Sequence, residues 1–319
     1  MKKITIIILA VILITALGCR TAKSPAPQAY DNTVVEAQKG NLPPPPPPLD
    51  EIIDPEEPEE DTTMRIGASG VGKWGLAFTG KEAVAEIRHV MDRQDYFWEA
   101  VDIALENDIY IIANIDNWTF DGRLDPDEQE WRERVESLVT DLERRGANKQ
   151  NARITIENEP MKYISREQYI WLVNIAYDQI DQRFYMGAGN EEYDLAKQRG
   201  NMYEYLCENA DFDILDTHWQ ASFATPGDIE NKANWFRDLA DRHDKRLSVT
   251  EANWYDIATP EGYDLLIQTM TKAEELGSED FCVVFTSLDD QPQYEWLAFI
   301  YNGEVRNQQH WDDFLSRIE

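Results

Sequence analysis

Histidine, cysteine and basic residues are scarce in this sequence. Its 319 residues include 4 His and 3 Cys, and 30 Lys and Arg stand against 61 Asp and Glu, for a formal net charge of −31. The scattered histidines show no metal-ligand spacing, so no metal site is predicted. Because such an acidic chain repels polyanions, nucleic acid is excluded as an expected partner, whereas a neutral polysaccharide is not.

Two motifs of common enzyme classes are also missing. The glycines at positions 67, 70, 72 and 75 do not complete the phosphate-binding motif Gly-x4-Gly-Lys-Ser/Thr. No Gly-x-Ser-x-Gly nucleophile elbow occurs either. We therefore expect no cofactor, and any catalysis would rest on side chains alone.

The N-terminus has the pattern of an export signal. Lys2 and Lys3 precede the apolar run 4–17, which is short for a membrane span and typical of a signal-peptide core. The run ends in Ala16-Leu17-Gly18-Cys19, which resembles the lipobox of bacterial lipoproteins, although Ala16 stands where that family usually has Leu. The resemblance implies a signal peptide over 1–19 and a lipid on Cys19. The protein would then be exported and anchored to a membrane, facing the cell surface or periplasm. Cleavage by ordinary signal peptidase is the alternative.

Residues 20–63 have the composition of a disordered tether. Ten of the 15 prolines precede residue 59, six of them consecutive at 43–48, and 50–61 contains eight acidic residues and no basic one. Proline runs form stiff polyproline II, at roughly 3.1 Å per residue, and an acidic segment of this kind cannot bury enough apolar surface to fold. The segment is expected to hold the following domain away from a membrane or cell wall.

From residue 64 to 319, short apolar strand-like runs alternate with longer helical ones. Asp125, Ser165 and Thr259 have the character of helix N-caps, and Ser165 with Gln168 suggests a capping box. Eight such repeats in about 250 residues predict a single (β/α)8 TIM barrel, which we expect to be monomeric. The eight predicted strands cover 64–68, 86–90, 109–115, 153–157, 183–188, 213–217, 246–250 and 281–286.

Two cysteines remain in this domain. Cys207 and Cys282 could pair in an exported protein, but nothing in their spacing requires it. Cys282 lies in a strand-like apolar run, which favours a buried, reduced thiol.

Polar and aromatic residues follow the predicted strands where a barrel of this type places its functional groups. Strand three ends in Asp116-Asn117-Trp118, strand four in Glu157-Asn158-Glu159-Pro160, strand six in Thr217-His218-Trp219-Gln220 and strand seven in Thr250-Glu251-Ala252-Asn253-Trp254-Tyr255. A retaining glycosidase needs two carboxyl groups about 5–5.5 Å apart, one as acid/base and one as nucleophile. Glu159 and Glu251 are the candidates. Tryptophans at strand ends offer flat faces for sugars and N–H donors for hydroxyls.

The order Asn158-Glu159-Pro160 after strand four and Glu251 after strand seven resembles the clan A glycoside hydrolases, which include cellulases, mannanases and β-1,3-glucanases. The resemblance covers 64–319 and implies a retaining glycosidase that acts on a β-linked polysaccharide of the glucan or mannan class. The aromatic residues at the strand ends favour cleavage inside the polysaccharide. Carried over, it makes Glu159 the acid/base and Glu251 the nucleophile. The further residues expected to bind substrate or support the site are Asn158, His218, Arg88, Trp118, Asn117, Trp219, Trp254 and Tyr255.

The eighth strand departs from the family. The clan usually has a Trp at its end, whereas here Thr286, Ser287 or Leu288 takes that place, with Trp296 ten residues beyond Thr286. This difference leaves open a second class, a non-catalytic surface lipoprotein that binds glycans on a barrel without turnover. A purely structural envelope or particle protein is a third interpretation, supported by the tether alone.

Overall fold

The computed structural model describes most of the chain from residue 63 onward. The described ranges are 63–71, 82–89, 94–116, 118–119, 122–123, 127–253, 255–284, 287–288, 295 and 297–318. The predicted signal peptide, Cys19 and the tether up to residue 62 lie outside the described residues.

Eight parallel strands form a closed barrel in the described part of the chain, and each strand pairs with its neighbours in sequence order. The prediction of a single (β/α)8 barrel is confirmed, and all eight predicted strands occur within a few residues of their expected positions. They are β1 (Arg65–Val71), β2 (Val84–His89), β3 (Tyr110–Ile115), β4 (Ala152–Ile156), β5 (Tyr185–Glu192), β6 (Ile214–Trp219), β7 (Arg246–Ala252) and β8 (Ser278–Val284).

Helices alternate with these strands. They are α1 (Gln94–Glu106), α2 (Glu128–Arg144), α3 (Arg166–Ile180), α4 (Tyr193–Gln198), α5 (Met202–Asn209), α6 (Pro226–Arg242), α7 (Pro260–Glu275) and α8 (Gln308–Ile318). Among the described helices, none combines the length and the apolar character that crossing a membrane requires.

Helix starts follow local side-chain chemistry. Ser165 caps α3 through the predicted capping box with Gln168, and the Thr259 side chain accepts from the Gly262 N–H at the start of α7. The predicted cap of α2 is wrong by two residues, because Asp127 rather than Asp125 accepts the N–H of Glu130. In each case the side chain satisfies a backbone donor that has no partner within the helix.

Strand alternation separates two neighbouring residues of β2. Arg88 lies on the inner face of the barrel, whereas His89 makes an edge contact with Phe97 of α1, with ring centroids 4.9 Å apart. Burial and the charge of Arg134 lower the pKa of His89 to about 4. His89 therefore belongs to the layer between barrel and helices, and Arg88 belongs to the interior.

The barrel interior contains an ionic network in place of an entirely apolar filling. Arg153 of β4 is fully buried and donates to both carboxylate oxygens of Asp216 on β6, at 2.8 and 2.9 Å. It also donates to Ser248 at 2.8 Å and to Asp280 at 3.1 Å. A buried guanidinium is tolerated when it is paired and hydrogen-bonded in this way. The network ties together β4, β6, β7 and β8.

Both cysteines of the barrel are free and buried. The predicted buried, reduced state of Cys282 is confirmed, and no disulfide joins it to Cys207.

Candidate active site

An irregularity in β7 directs Glu251 toward the barrel interior. The register with β6 pairs Thr217 with Val249 but His218 with Glu251, so β7 contains one extra residue, Thr250, at this point. A bulge of this kind interrupts the strict alternation of a strand and re-aims the side chains that follow it. The hydroxyl of Thr250 donates to the inward-lying Asn190 at 2.8 Å. The consecutive residues Thr250 and Glu251 can therefore both face the barrel interior.

Glu251 is buried among donors. Its side chain forms an ion pair with Arg88 of β2, on the far side of β1 and β8, and accepts a hydrogen bond from the Gln220 amide. The Nδ1 atom of His218 lies 3.8 Å from its Oε2. Glu251 and Arg88 are 7% and 5% exposed, so their attraction is only weakly screened by water. The structure thus brings together Arg88, His218 and Glu251, as the resemblance implies.

His218 is a neutral member of this group. It is fully buried, and burial, together with the charges of Arg88 and Lys162, holds the pKa of His218 well below its usual 6.5. Its proximity to Glu251 is therefore a polar contact between a neutral imidazole and a carboxylate rather than an ion pair. Asn190 links the segment after β4 to β7, because its carbonyl accepts the Glu159 N–H and its amide oxygen accepts the Thr250 hydroxyl.

Glu159 lies on a strained turn after β4. Its backbone is left-handed, with φ 47° and ψ 52°, and Glu157 two residues earlier has φ 62°. Such conformations are costly for residues other than glycine and persist where neighbours enforce them. The Glu159 N–H donates to the Asn190 carbonyl at 2.8 Å, and the Asn190 amide donates to the Glu157 carbonyl at 2.9 Å. The end of β5 therefore holds this turn.

The Glu159 carboxylate is partly open to solvent, in contrast to Glu251. Its side chain is 19% exposed and forms an ion pair with Lys162, three residues further on. The half-buried Asn158 is fixed through its backbone, because its N–H donates to the Asp116 carboxylate at 2.7 Å. The buried amide oxygen of Asn158 has no hydrogen-bond partner among the described residues.

A second buried carboxyl group supports the same turn. Glu191, at the end of β5, is fully buried and accepts the N–H groups of Met161 and Glu192, each at 2.9 Å. Burial, with a smaller contribution from the charge of Glu159, raises the pKa of Glu191 to about 8. Glu191 is therefore a protonated, neutral group at pH 7.

Two predicted sugar-binding residues are packed within the protein. Trp219 is fully buried and stacks on Phe223, with ring centroids 5.0 Å apart, because it alternates with the inward-facing His218 and so faces the helices. Tyr255 is 8% exposed and donates its hydroxyl to the Phe223 carbonyl. The expected sugar contacts of Trp219 and Tyr255 are therefore corrected to roles in packing.

Three other predicted positions cannot be placed in the site. Asn117 and Trp254 lie outside the described residues. The backbone of Trp118 belongs to a short strand, Trp118–Thr119, that pairs with Gly122–Arg123. The Trp118 side chain is not among the described parts of the chain. The strand-eight alternatives Thr286 and Trp296 are likewise outside it.

The sequence analysis did not identify four residues that contact Arg88, Glu251 or the turn after β4. Glu86 and Gln220 each stand two positions from a residue that was recognised, Arg88 and His218 respectively, and period-two alternation could have identified them. Asn190 and Glu191 end β5, which carries no family motif. Their role depends on the path of the β4 turn, for which the sequence holds no signal.

The site has no metal-binding character in the described part of the chain. There, no group of three or more His, Cys, Asp or Glu side chains is arranged to hold a metal ion. The residues present can donate and accept protons, supply a carboxylate nucleophile and bind hydroxyl groups.

Comparisons with known proteins find likeness in structure but not in sequence. No protein family matches the chain, and no curated protein does. The endo-β-1,4-glucanase of Xanthomonas axonopodis pv. citri superposes with a TM-score of 0.61 at 10% identity, over 80% of this chain and 99% of that one. XacCel5A, solved with cellopentaose, gives 0.61 at 12% identity, over 81% of this chain and 100% of that one.

A third similar structure is that of a protein named for another activity. The endo-1,4-β-D-mannanase of Thermotoga petrophila superposes with a TM-score of 0.58 at 12% identity, over 80% of this chain and 100% of that one. At such low identities these likenesses establish the barrel fold.

Proposed function

We propose that this protein is a retaining glycoside hydrolase that cleaves inside a β-linked polysaccharide of the glucan or mannan class. The observation that carries the proposal is the environment of Glu251. A buried carboxylate at the end of β7, paired with Arg88 and hydrogen-bonded by Gln220, is held in one orientation for attack on a sugar carbon.

The reaction would proceed in two displacements. An oxygen of Glu251 attacks the anomeric carbon while the bond to the leaving oxygen breaks, and that oxygen takes a proton from Glu159. In the second step Glu159 accepts a proton from water, whose oxygen displaces Glu251 from the anomeric carbon. Asn158, beside Glu159, would hydrogen-bond the 2-hydroxyl of the sugar at the cleavage point.

The substrate class rests on two supports. The acidic charge of the chain disfavours anionic polymers and leaves neutral ones as candidates. Barrels of the same fold, by their names, act on β-1,4-glucan and β-1,4-mannan.

The test is hydrolysis of a panel of β-glucans, mannans and xylans by the intact protein and by variants at each glutamate. Glu251→Ala should abolish product release, and Glu159→Ala should reduce it strongly, by about a hundredfold or more. Glu274→Ala, an exposed glutamate on α7, is the matched control. Full activity of Glu251→Ala would contradict the assignment, and binding without product by the intact protein would favour a glycan-binding lipoprotein.

We also propose that the barrel domain, 64–319, is displayed at a membrane by a lipid on Cys19 and the tether over 20–63. The lipobox-like end of the apolar run and the proline-rich composition support this arrangement. Expression of a Cys19→Ser variant should move the protein from the membrane fraction to the soluble fraction. Unchanged membrane association would contradict lipid anchoring.

A further inference from the structure

A fully buried carboxyl group, Glu86, lies next to the Arg88–Glu251 pair. Glu86 and Arg88 are two positions apart on β2, so both side chains lie on the inner face of the barrel. The Nη2 atom of Arg88 is 3.7 Å from Oε2 of Glu86, and the same nitrogen pairs with Glu251. One guanidinium is therefore shared between two buried carboxyl groups.

Neighbouring strands hold Glu86 in this position. The Asn114 amide of β3 donates to its Oε1 at 2.6 Å, and the Ser69 hydroxyl of β1 donates to its Oε2. Every named neighbour of Glu86 thus offers a donor, as a carboxylate requires. These contacts from β1 and β3 hold the Glu86 side chain beside Arg88 independently of Glu251.

The charge of Glu251 changes during the proposed reaction. In the glycosyl-enzyme, one Glu251 oxygen is bonded to the anomeric carbon, and the resulting ester is neutral. If Glu251 were its sole counter-ion, Arg88 would then be a buried, uncompensated cation, which is strongly unfavourable. His218, uncharged by burial, cannot compensate, and it could not do so in any case because its other form is a cation.

We propose that Glu86 is a positioning residue that acts through Arg88. It serves as the counter-ion of Arg88 while Glu251 is esterified, and it thereby stabilises the covalent intermediate and the transition state that leads to it. The inference rests on the proposed function for its catalytic meaning, whereas the sharing of Arg88 between two carboxylates can be measured without any activity.

The first experiment is a stability cycle on the full chain with Glu86→Gln, Glu251→Gln and the double variant. Each single variant leaves Arg88 with one carboxylate, whereas the double variant leaves it with none. The melting temperature of the double variant should fall at least about 3 °C further than the sum of the single changes. Additive changes would overturn the inference.

A rescue covers the case in which the double variant does not fold. Replacing Arg88 by Met in that background removes the unpaired cation at similar volume, and folding should return. Failure of Arg88→Met to restore folding would show that the damage does not come from the charge of Arg88, and it would overturn the inference.

The second experiment separates the two chemical steps with dinitrophenyl fluoro-glycosides of cellobiose and mannobiose, which form slowly hydrolysed glycosyl-enzymes. Glu86→Gln should slow formation of the intermediate roughly tenfold without slowing its breakdown. The control is Glu279→Gln, at the opposite end of the barrel, which should change neither step. Equal slowing of both steps, or no slowing, would contradict the role of Glu86.

The outcomes distinguish this inference from the proposed function. An inactive protein with a non-additive cycle would refute the hydrolase assignment and leave the shared guanidinium standing. An active protein labelled at Glu251 with an additive cycle would refute the role of Glu86 alone.

Discussion

At the scale of single residues, Glu191 gives the clearest expected dependence of folding stability on pH. Its folded pKa of about 8 lies above the ordinary 4.5, so the folded protein binds this proton more tightly than the unfolded chain. The associated stability is fully present below pH 4.5 and is lost as the pH rises toward about 8. Burial is the main cause, because an ionised carboxylate there would lose its hydration.

Glu191→Gln should therefore flatten the pH dependence of stability. Between pH 5 and 9, the wild-type protein should lose on the order of 4 kcal/mol more free energy of unfolding than this variant. Urea denaturation at the two pH values measures the difference, with the exposed Glu274→Gln as a control that keeps the wild-type slope. Parallel curves for wild type and Glu191→Gln would refute a protonated Glu191.

Individual site residues differ in how far the sequence could identify them. Alternation along β2 is enough to put Arg88 and His89 on opposite sides of the sheet, where the structure has them. The same rule, applied to His218 and Trp219, turns Trp219 away from the barrel interior. Glu251 was found through the resemblance to clan A glycoside hydrolases, although strict alternation with Ser248 would have turned it outward. The bulge at Thr250 explains why Glu251 nevertheless faces inward, and no sequence signal marks that bulge.

At the scale of elements, the predicted start of α3 at Ser165 can be tested by mutation. The side chain of Ser165 accepts the Gln168 N–H at 3.1 Å, and the Gln168 side chain accepts the Ser165 N–H at 3.1 Å. Ser165→Ala should lower the free energy of unfolding by about 1 kcal/mol, since a terminal N–H loses its partner. Chemical denaturation measures this loss.

The matched control is Ser137→Ala, at an exposed position inside α2. There the serine caps nothing, and alanine is the better helix former, so stability should stay the same or rise slightly. Equal effects at both positions would show that the capping box does not stabilise α3.

Element positions were predictable because strand and helix signals repeat eight times, and each repeat must bury its apolar face against the next. The turn after β4 was not predictable. Its two left-handed positions are occupied by Glu157 and Glu159 rather than by glycine or asparagine, so the residue types do not indicate the conformation. Contacts from Asn190 and Glu191, about thirty residues later, enforce the conformation.

At the scale of the whole molecule, the barrel closes around the Arg153 network, which depends on Gly187 of β5. A Cβ added at Gly187 would collide with Asp216 and Arg153, with the Asp216 Cγ only 2.7 Å away. Gly187→Ala should therefore destabilise the entire barrel by at least about 2–3 kcal/mol, since the buried ion pair would be displaced.

A glycine without such a neighbour provides the comparison. A Cβ at Gly227 in α6 meets only the Thr225 hydroxyl at 3.9 Å. Gly227→Ala should stabilise the protein by about 0.4–1 kcal/mol through a less flexible unfolded chain. Thermal or urea unfolding measures both variants. If Gly187→Ala also proved neutral or stabilising, the network would not require the space that this glycine leaves.

The central claim is that Glu251 forms a covalent bond with the sugar, and identification of the labelled residue tests it most directly. The intact protein is trapped with a dinitrophenyl fluoro-glycoside and digested, and the modified peptide is located by mass spectrometry. We predict one sugar per chain, attached to Glu251, with no label in Glu251→Gln. Label on another residue, or turnover of the substrate with no labelled intermediate, would contradict the account.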